Sequence, residues 1–248
     1  MHDLTMIPNE TLEDKVNYYY TDFKNQGKNY SKDDLREAIK YLSYYYTNKL
    51  PKTESNTEPT LYVFRHGQTD DNLNFIFSGW RDPSITKLGE QQALELADKI
   101  KDKRIHMLIS STQLRAIDTM ILAISRNIGA KDLEIIQDSR IKERSYGDYQ
   151  GHSKIEAYMK SPEGLERIRR GFKSTPPGGE SIETVCKRVA KFCDDIVPRM
   201  KESKLNVAVS CHGNSIRGFR RYFENLSDYE TAHVETPLGK DYLAYVIS

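Results

Sequence analysis

The chain has 248 residues, enough for one full domain and a small addition. Its 37 Lys+Arg against 36 Asp+Glu leave a net charge of +1, so no global field recruits nucleic acid or anionic membrane. Hydrophobic residues at 38% and charged residues at 29% suit a soluble globule, and no apolar run approaches the ~18 residues of a membrane span, which excludes a membrane protein and a secreted disulfide scaffold.

The start, Met1-His2-Asp3-Leu4, lacks a basic segment followed by an apolar one, which predicts no secretory leader and a cytoplasmic location. Leu12, Val16, Tyr19, Tyr20 and Phe23 recur at helical spacing, as do Leu35, Ala38, Ile39, Leu42, Tyr45 and Tyr46. Ser31 with Asp34 predicts an N-cap for the second run, and Gly27 to Tyr30 the turn before it. Residues 1–50 therefore read as a helical hairpin rich in tyrosine. Two short amphipathic helices rarely bury enough surface to stand alone, so the hairpin packs on the rest of the chain or holds an unknown partner. Asp14, Asp22, Asp33, Asp34 and Glu37 break up its positive charge and speak against single-stranded nucleic acid. Residues 51–60, without a large apolar side chain, read as a linker.

From Leu61 to Ser248 the pattern alternates. Leu61 to Phe64, Met107 to Ile109, Glu134 to Ile136, Val207 to Val209 and Leu243 to Val246 suit buried strands. Gly89 to Lys101, Gln113 to Arg126 and Ser181 to Lys201 carry helical periodicity. The alternation predicts an α/β fold, a three-layer sandwich with a mostly parallel central sheet and ligands at the strand C-terminal ends. Cys186 and Cys193 on one helix would lie about 10.5 Å apart, beyond the ~7 Å reach of a disulfide, so the cysteines read as free thiols.

Two of the strands end alike. Arg65-His66-Gly67 follows Phe64, and Cys211-His212-Gly213-Asn214 follows Ser210. The strand through Ile109 ends in Ser110-Ser111, and Arg115 lies just beyond. Arg65, His66, Arg115 and His212 can therefore meet in one pocket, and cations around a nucleophile are what phosphoryl transfer requires. No Walker loop, H-E-x-x-H or C-x-x-C occurs, so neither a P-loop nor a zinc mechanism is indicated and no metal is expected.

Arg65-His66-Gly67-Gln68-Thr69 resembles the signature of the histidine phosphatase superfamily, and within it the 2,3-bisphosphoglycerate-dependent phosphoglycerate mutases. The likeness runs from about Leu61 to Ile247. It continues through Asn72, Phe77-Ser78-Gly79-Trp80, Leu114-Arg115-Ala116, Glu143-Arg144-Ser145-Tyr146-Gly147, Arg169-Arg170-Gly171-Phe172, Pro176-Pro177, Glu180-Ser181 and His212-Gly213-Asn214-Ser215.

The resemblance implies His66 as nucleophile, Arg65, Arg115 and His212 as a phosphoryl clamp, and Glu143 as general acid with a raised pKa beside bound phosphate. Asn72, Gly213 and Asn214 would add contacts there. Lys154, Arg169 and Arg170 would hold the carboxylate and second phosphate, with Ser78, Gly79, Arg144 and Tyr146 as further contacts. The implied activity is interconversion of 3- and 2-phosphoglycerate, a step of glycolysis and gluconeogenesis, primed by 2,3-bisphosphoglycerate. Its rivals are a phosphatase of a small phosphorylated metabolite and, in another class, a non-catalytic binding module, which the intact Arg65, His66, Arg115, Glu143 and His212 disfavour. A homo-oligomer is left open.

The chain departs from the mutase pattern in three places. Asp71 replaces a common aromatic, Pro176-Pro177 reaches Glu180 through only Gly178-Gly179 where the mutases carry an insertion, and no tail follows Val246-Ile247. The hairpin is expected to replace the cover these segments would provide.

Overall fold

In a computed structural model that describes residues 6–7, 9–43, 49–236 and 238–248, Thr11 and Ser31 cap the first two helices. Each hydroxyl accepts from the amide three residues on, so α1 spans Leu12–Asn25 and α2 spans Lys32–Leu42. Gly27, at φ +75°, supplies the left-handed turn between them. The expected continuation of α2 to Tyr45 and Tyr46 lies outside the described residues, with Tyr44. The apolar faces of both helices, including Val16, Phe23, Leu35, Ile39 and Leu42, share one buried cluster with Phe75, Phe77, Ile155 and Leu165. Lys28 pairs with Glu156 at 2.7 Å, which ties the turn to the same surface.

Residues 51–60 are not a free linker. Lys52 bridges Ala244, the Thr53 amide donates to the Ala244 carbonyl at 2.9 Å, and the Ala244 amide donates to the Pro51 carbonyl at 3.1 Å. The physical reason is the strand beneath, which lies at a sheet edge and would otherwise leave a row of backbone groups without protein partners.

The chain then runs through β1 (Thr60–Arg65), α3 (Asp70–Leu73), α4 (Lys87–Ile100), β2 (Met107–Ser110), α5 (Leu114–Ile124) and β3 (Ile135–Gln137). It continues through α6 (Lys154–Lys160), α7 (Pro162–Arg170), α8 (Ile182–Ser203), β4 (Val207–Cys211), α9 (Gly213–Glu224), α10 (Asp228–His233) and β5 (Tyr242–Val246). The strands form one sheet in the order β3-β2-β4-β1-β5. All neighbours are parallel except β1 and β5, which run antiparallel.

Alternation along β1 sorts the two layers that cover the sheet. Leu61 and Val63 join Val189, Phe192, Ile216 and Phe219 of α8 and α9 on one face. Tyr62 and Phe64 join Leu96, Ile100, Met120 and Ile124 of α4 and α5 on the other. The result is the expected three-layer α/β sandwich with a mostly parallel sheet. All three cysteines are buried and free.

Candidate active site

Strand register explains why two histidines distant in sequence become neighbours. Arg65 pairs with Cys211 across β1 and β4, so the next residues, His66 and His212, leave the sheet side by side with ring centroids 5.1 Å apart. On the far side of β4, Ser110 pairs with Ser210, which places Ser111 beside His212 with its Oγ 2.6 Å from His212 Nε2. Three strand ends thus set Ser111, His212 and His66 in a row.

The hydrogen bonds of His66 assign its ring. Nδ1 lies 2.6 Å from the carbonyl of Gly67, an acceptor, so Nδ1 carries the proton and Nε2 the lone pair. Arg115 Nε donates to that lone pair at 3.3 Å. Gly67 is required for packing, since a Cβ there would lie 2.4 Å from the carbonyl oxygen of Gly89 at the start of α4. Burial first, then Arg115 and Arg65, hold His66 well below the ordinary histidine range; burial, Arg115 and His66 do the same to His212. Both rings are therefore neutral at pH 7.

Arg115 enters from the first turn of α5 and is buried. Its Nη1 and Nη2 donate to the carbonyls of Arg81 and Gly79 at 2.7 and 3.0 Å. Burial lowers its pKa to about 10, partly offset by Glu143 and Asp82, so it stays charged at neutral pH. Arg65 Nη1 donates to the Thr236 carbonyl at 2.9 Å. Where the mutases commonly have an aromatic, Asp71 pairs with Arg81 at 3.3 Å, and so steadies the segment whose carbonyls hold Arg115.

Glu143 sits at the N-terminus of α9. Its Oε1 accepts from the Arg144 amide at 2.7 Å and from the Asn214 amide and Nδ2 at 3.2 and 3.0 Å. Burial pushes the carboxyl up, but the Arg65 charge, the Arg144 and Asn214 donors and Arg115 outweigh it and leave the pKa below the usual value. The raised pKa expected of Glu143 is thus not a property of the protein's own groups. It requires the negative charge of a phosphoryl group beside Arg65.

One cavity brings most of the expected residues together. Arg65, Asn72, Ser78, Gly79, Glu143, Tyr146, Gly213 and Asn214 line it together with Lys154 from α6 and Arg169 and Arg170 from α7. Arg217 and Thr236 line it as well. His66, Arg115 and His212 do not line it themselves; Arg115 adjoins it through the Gly79 carbonyl, His66 through Arg115, and His212 through His66. Arg144 does not reach the cavity. It is fully buried, with Nε and Nη2 donating to the carbonyls of Glu180 and Ser174 at 2.7 and 3.1 Å, so its guanidinium braces the loop that carries Glu143.

Besides Arg217 and Thr236, two contributors escaped the sequence reading as site residues. Ser111 orients His212, and Gln113 holds both the Glu143 amide and the Gly79 carbonyl, at 2.9 and 3.0 Å. Their signal was position alone, just past a strand end. His212 Nδ1 is buried with no partner in the protein, which suits an oxygen of a phosphoryl group. Among the described residues no group of three or more His, Cys, Asp or Glu gathers as metal ligands.

Comparison with known proteins agrees with this site. The sequence profile of the Histidine phosphatase superfamily (branch 1) matches residues 61–240. A 2,3-bisphosphoglycerate-dependent phosphoglycerate mutase of Cytophaga hutchinsonii is 36% identical over 183 residues, 73% of this chain and 84% of the relative. One of Rhizobium meliloti is 38% identical over 184 residues, 73% of this chain and 86% of the relative. Among solved structures, a mycobacterial glucosyl-3-phosphoglycerate phosphatase is similar with a TM-score of 0.67 at 24% identity, over 75% of this chain and 92% of that one, a likeness of fold. With its paired strand-end histidines, its arginines and the match over 61–240, the chain belongs to the histidine phosphatase superfamily.

Proposed function

We propose that the protein is a phosphoglycerate mutase that interconverts 3- and 2-phosphoglycerate through a phosphohistidine at His66. The observation that carries this reading is a cavity lined by two sets of cations. Arg65 beside the histidines suits a phosphoryl group, while Lys154, Arg169 and Arg170, from α6 and α7, line the same cavity and suit a second anionic group on the same molecule. A simple monoester needs only one such set. Relatives named as mutases at 36% and 38% identity support the same reading.

The protein's groups supply each step. The Nε2 lone pair of His66 attacks phosphorus, the P–N bond forms as the ester P–O bond breaks, and Arg65, Arg115 and His212 stabilise charge on the phosphoryl oxygens. Glu143, protonated once phosphoryl charge offsets Arg65, gives its proton to the leaving oxygen. In isomerisation the order is set by a His66 that is already phosphorylated when the monophosphate binds. Its phosphoryl group passes to the free hydroxyl, the P–N bond breaking as the new P–O bond forms, and Glu143 takes the hydroxyl proton. The bisphosphorylated intermediate then turns, the freed Nε2 takes the other phosphoryl group as above, and Glu143 returns the proton to the leaving oxygen. Bound 2,3-bisphosphoglycerate would supply the phosphoryl group that charges His66, and the two sets of cations lining the cavity suit its two phosphates in charge.

The second reading is hydrolysis of a small phosphorylated metabolite by the same route. The turn through Gly178 and Gly179 favours it. The Asp148 amide donates to the Pro177 carbonyl at 3.0 Å and the Glu180 amide to the Ser145 carbonyl at 2.9 Å, so this segment lies against 145–148 instead of extending as a cover. Water with access to the phosphohistidine would favour hydrolysis.

One assay separates the two. Purified protein receives 3-phosphoglycerate with a trace of 2,3-bisphosphoglycerate, and 2-phosphoglycerate formation, coupled to enolase, is followed together with phosphate release. Fast isomerisation with little phosphate, both lost in His66→Ala, is the expected result. Phosphate without isomerisation would reject the mutase.

A further inference from the structure

The two sets of cations at the cavity rest on different parts of the molecule. On the phosphoryl side, Arg115 and Arg65 are held by the backbone carbonyls of Gly79, Arg81 and Thr236, and the histidines by strand register. On the other side aromatic rings join the carbonyls. Lys154 Nζ donates to the Ile76 carbonyl at 2.6 Å and lies 5.4 Å from the centre of the Phe77 ring, and Tyr146 packs on the same ring at 5.0 Å. Phe77 belongs to the cluster completed by the apolar face of the N-terminal hairpin.

The hairpin also reaches a cation of the cavity directly. The guanidinium of Arg169 lies 5.2 Å from the centre of the Tyr41 ring, and Tyr41 is on α2. The hydroxyl of Tyr41 donates to Glu166, one turn earlier on α7, and its ring packs on Tyr158 of α6 at 5.3 Å. Tyr41 therefore grips one turn of α7 at two points, the carboxylate of Glu166 and the guanidinium of Arg169. Arg169 is only 7% exposed, so its direction is set by what packs around it.

We propose that Tyr41 is a positioning residue for Arg169 and thereby sets the affinity for the anionic group that substrate carries opposite its phosphoryl end. The inference rests on the two-anion reading given under Proposed function. A cation–π contact loses its attraction when the ring is replaced by an aliphatic side chain of similar bulk, but survives loss of the hydroxyl. The hairpin then acts in substrate selection through a contact made outside the cavity.

The test uses the full chain with Tyr41→Leu, Tyr41→Met and Tyr41→Phe. Dissociation constants for 3-phosphoglycerate and for inorganic phosphate are measured by calorimetry, alongside kcat and KM for isomerisation. In the leucine and methionine variants we expect affinity for 3-phosphoglycerate to fall about fivefold, with KM rising in step. Phosphate affinity and kcat should stay within about twofold of the parent protein, and Tyr41→Phe should restore 3-phosphoglycerate binding. Unchanged 3-phosphoglycerate binding in the leucine and methionine variants overturns the proposal. So does an equal loss for both ligands, or failure of both variants to fold, since Tyr41 would then serve the fold as a whole. The parent protein separates this from the underlying reading: if it binds 3-phosphoglycerate no better than phosphate and does not isomerise it, the two-anion reading fails whatever the variants do.

Discussion

At the scale of single residues, the site works by assigning protons. His66 donates Nδ1–H to the Gly67 carbonyl and so keeps its lone pair on Nε2, facing Arg115. No general base is needed, because burial and two arginines already keep the ring neutral. Glu143 has the opposite problem, since the groups that hold it also ionise it. Its role as acid depends on the charge substrate brings, which makes protonation part of binding. Glu143→Gln should therefore slow turnover of 3-phosphoglycerate by roughly 10²–10⁴-fold. It should barely affect p-nitrophenyl phosphate, whose leaving group needs no proton; steady-state rates on the two substrates check this, and an equal loss on both would remove Glu143 from the proton transfer.

At the scale of elements, the histidines were legible as strand-end residues because both strands are short, apolar and followed by His-Gly. All five strands fall where the apolar runs predict, with ends displaced by a residue or so. What escaped has physical reasons. α6 and α7 are short and polar, so periodicity is weak over their lengths. Their cap residues were the readable signal, since Ser153 accepts from the Glu156 amide and Ser161 from the Gly164 amide, with Pro162 just inside α7. The reversed direction of β5 leaves no trace in a run of apolar residues. Arg144 and the linker misled for one reason, since a motif or a composition does not say which backbone groups need partners. The helix behind the second histidine also carries the site. α9 presents the backbone amide and side chain of Asn214 to Glu143 and anchors on α8 through Phe219, buried and edge-on to Phe192 at 5.7 Å. Phe219→Ala should cost about 3–5 kcal/mol of stability, measured by urea unfolding; a loss under 1 kcal/mol would mean that α9 is held elsewhere.

At the scale of the whole molecule, the same burial that keeps the histidines neutral couples stability to pH. Their folded pKa values lie below the ordinary value near 6.5. Below that pH the unfolded chain takes up protons that the folded chain refuses, so their contribution is complete above about pH 6.5 and is lost as pH falls toward the folded values. Thermal unfolding should show a lower Tm at pH 5.5 than at pH 7.5, with a smaller difference in His66→Asn. Identical differences in the two proteins would place the pH dependence in other groups. The hairpin poses a different whole-molecule problem, one of order in time. Its apolar face is complete once Leu42 is made, but Ile155 and Leu165, which help to cover it, come more than a hundred residues later. On a ribosome this interval is on the order of ten seconds. For that time the nascent chain carries a tyrosine-rich amphipathic pair with part of its final neighbour still unwritten, so the segment that completes the fold is also a segment for a chaperone to shield during translation.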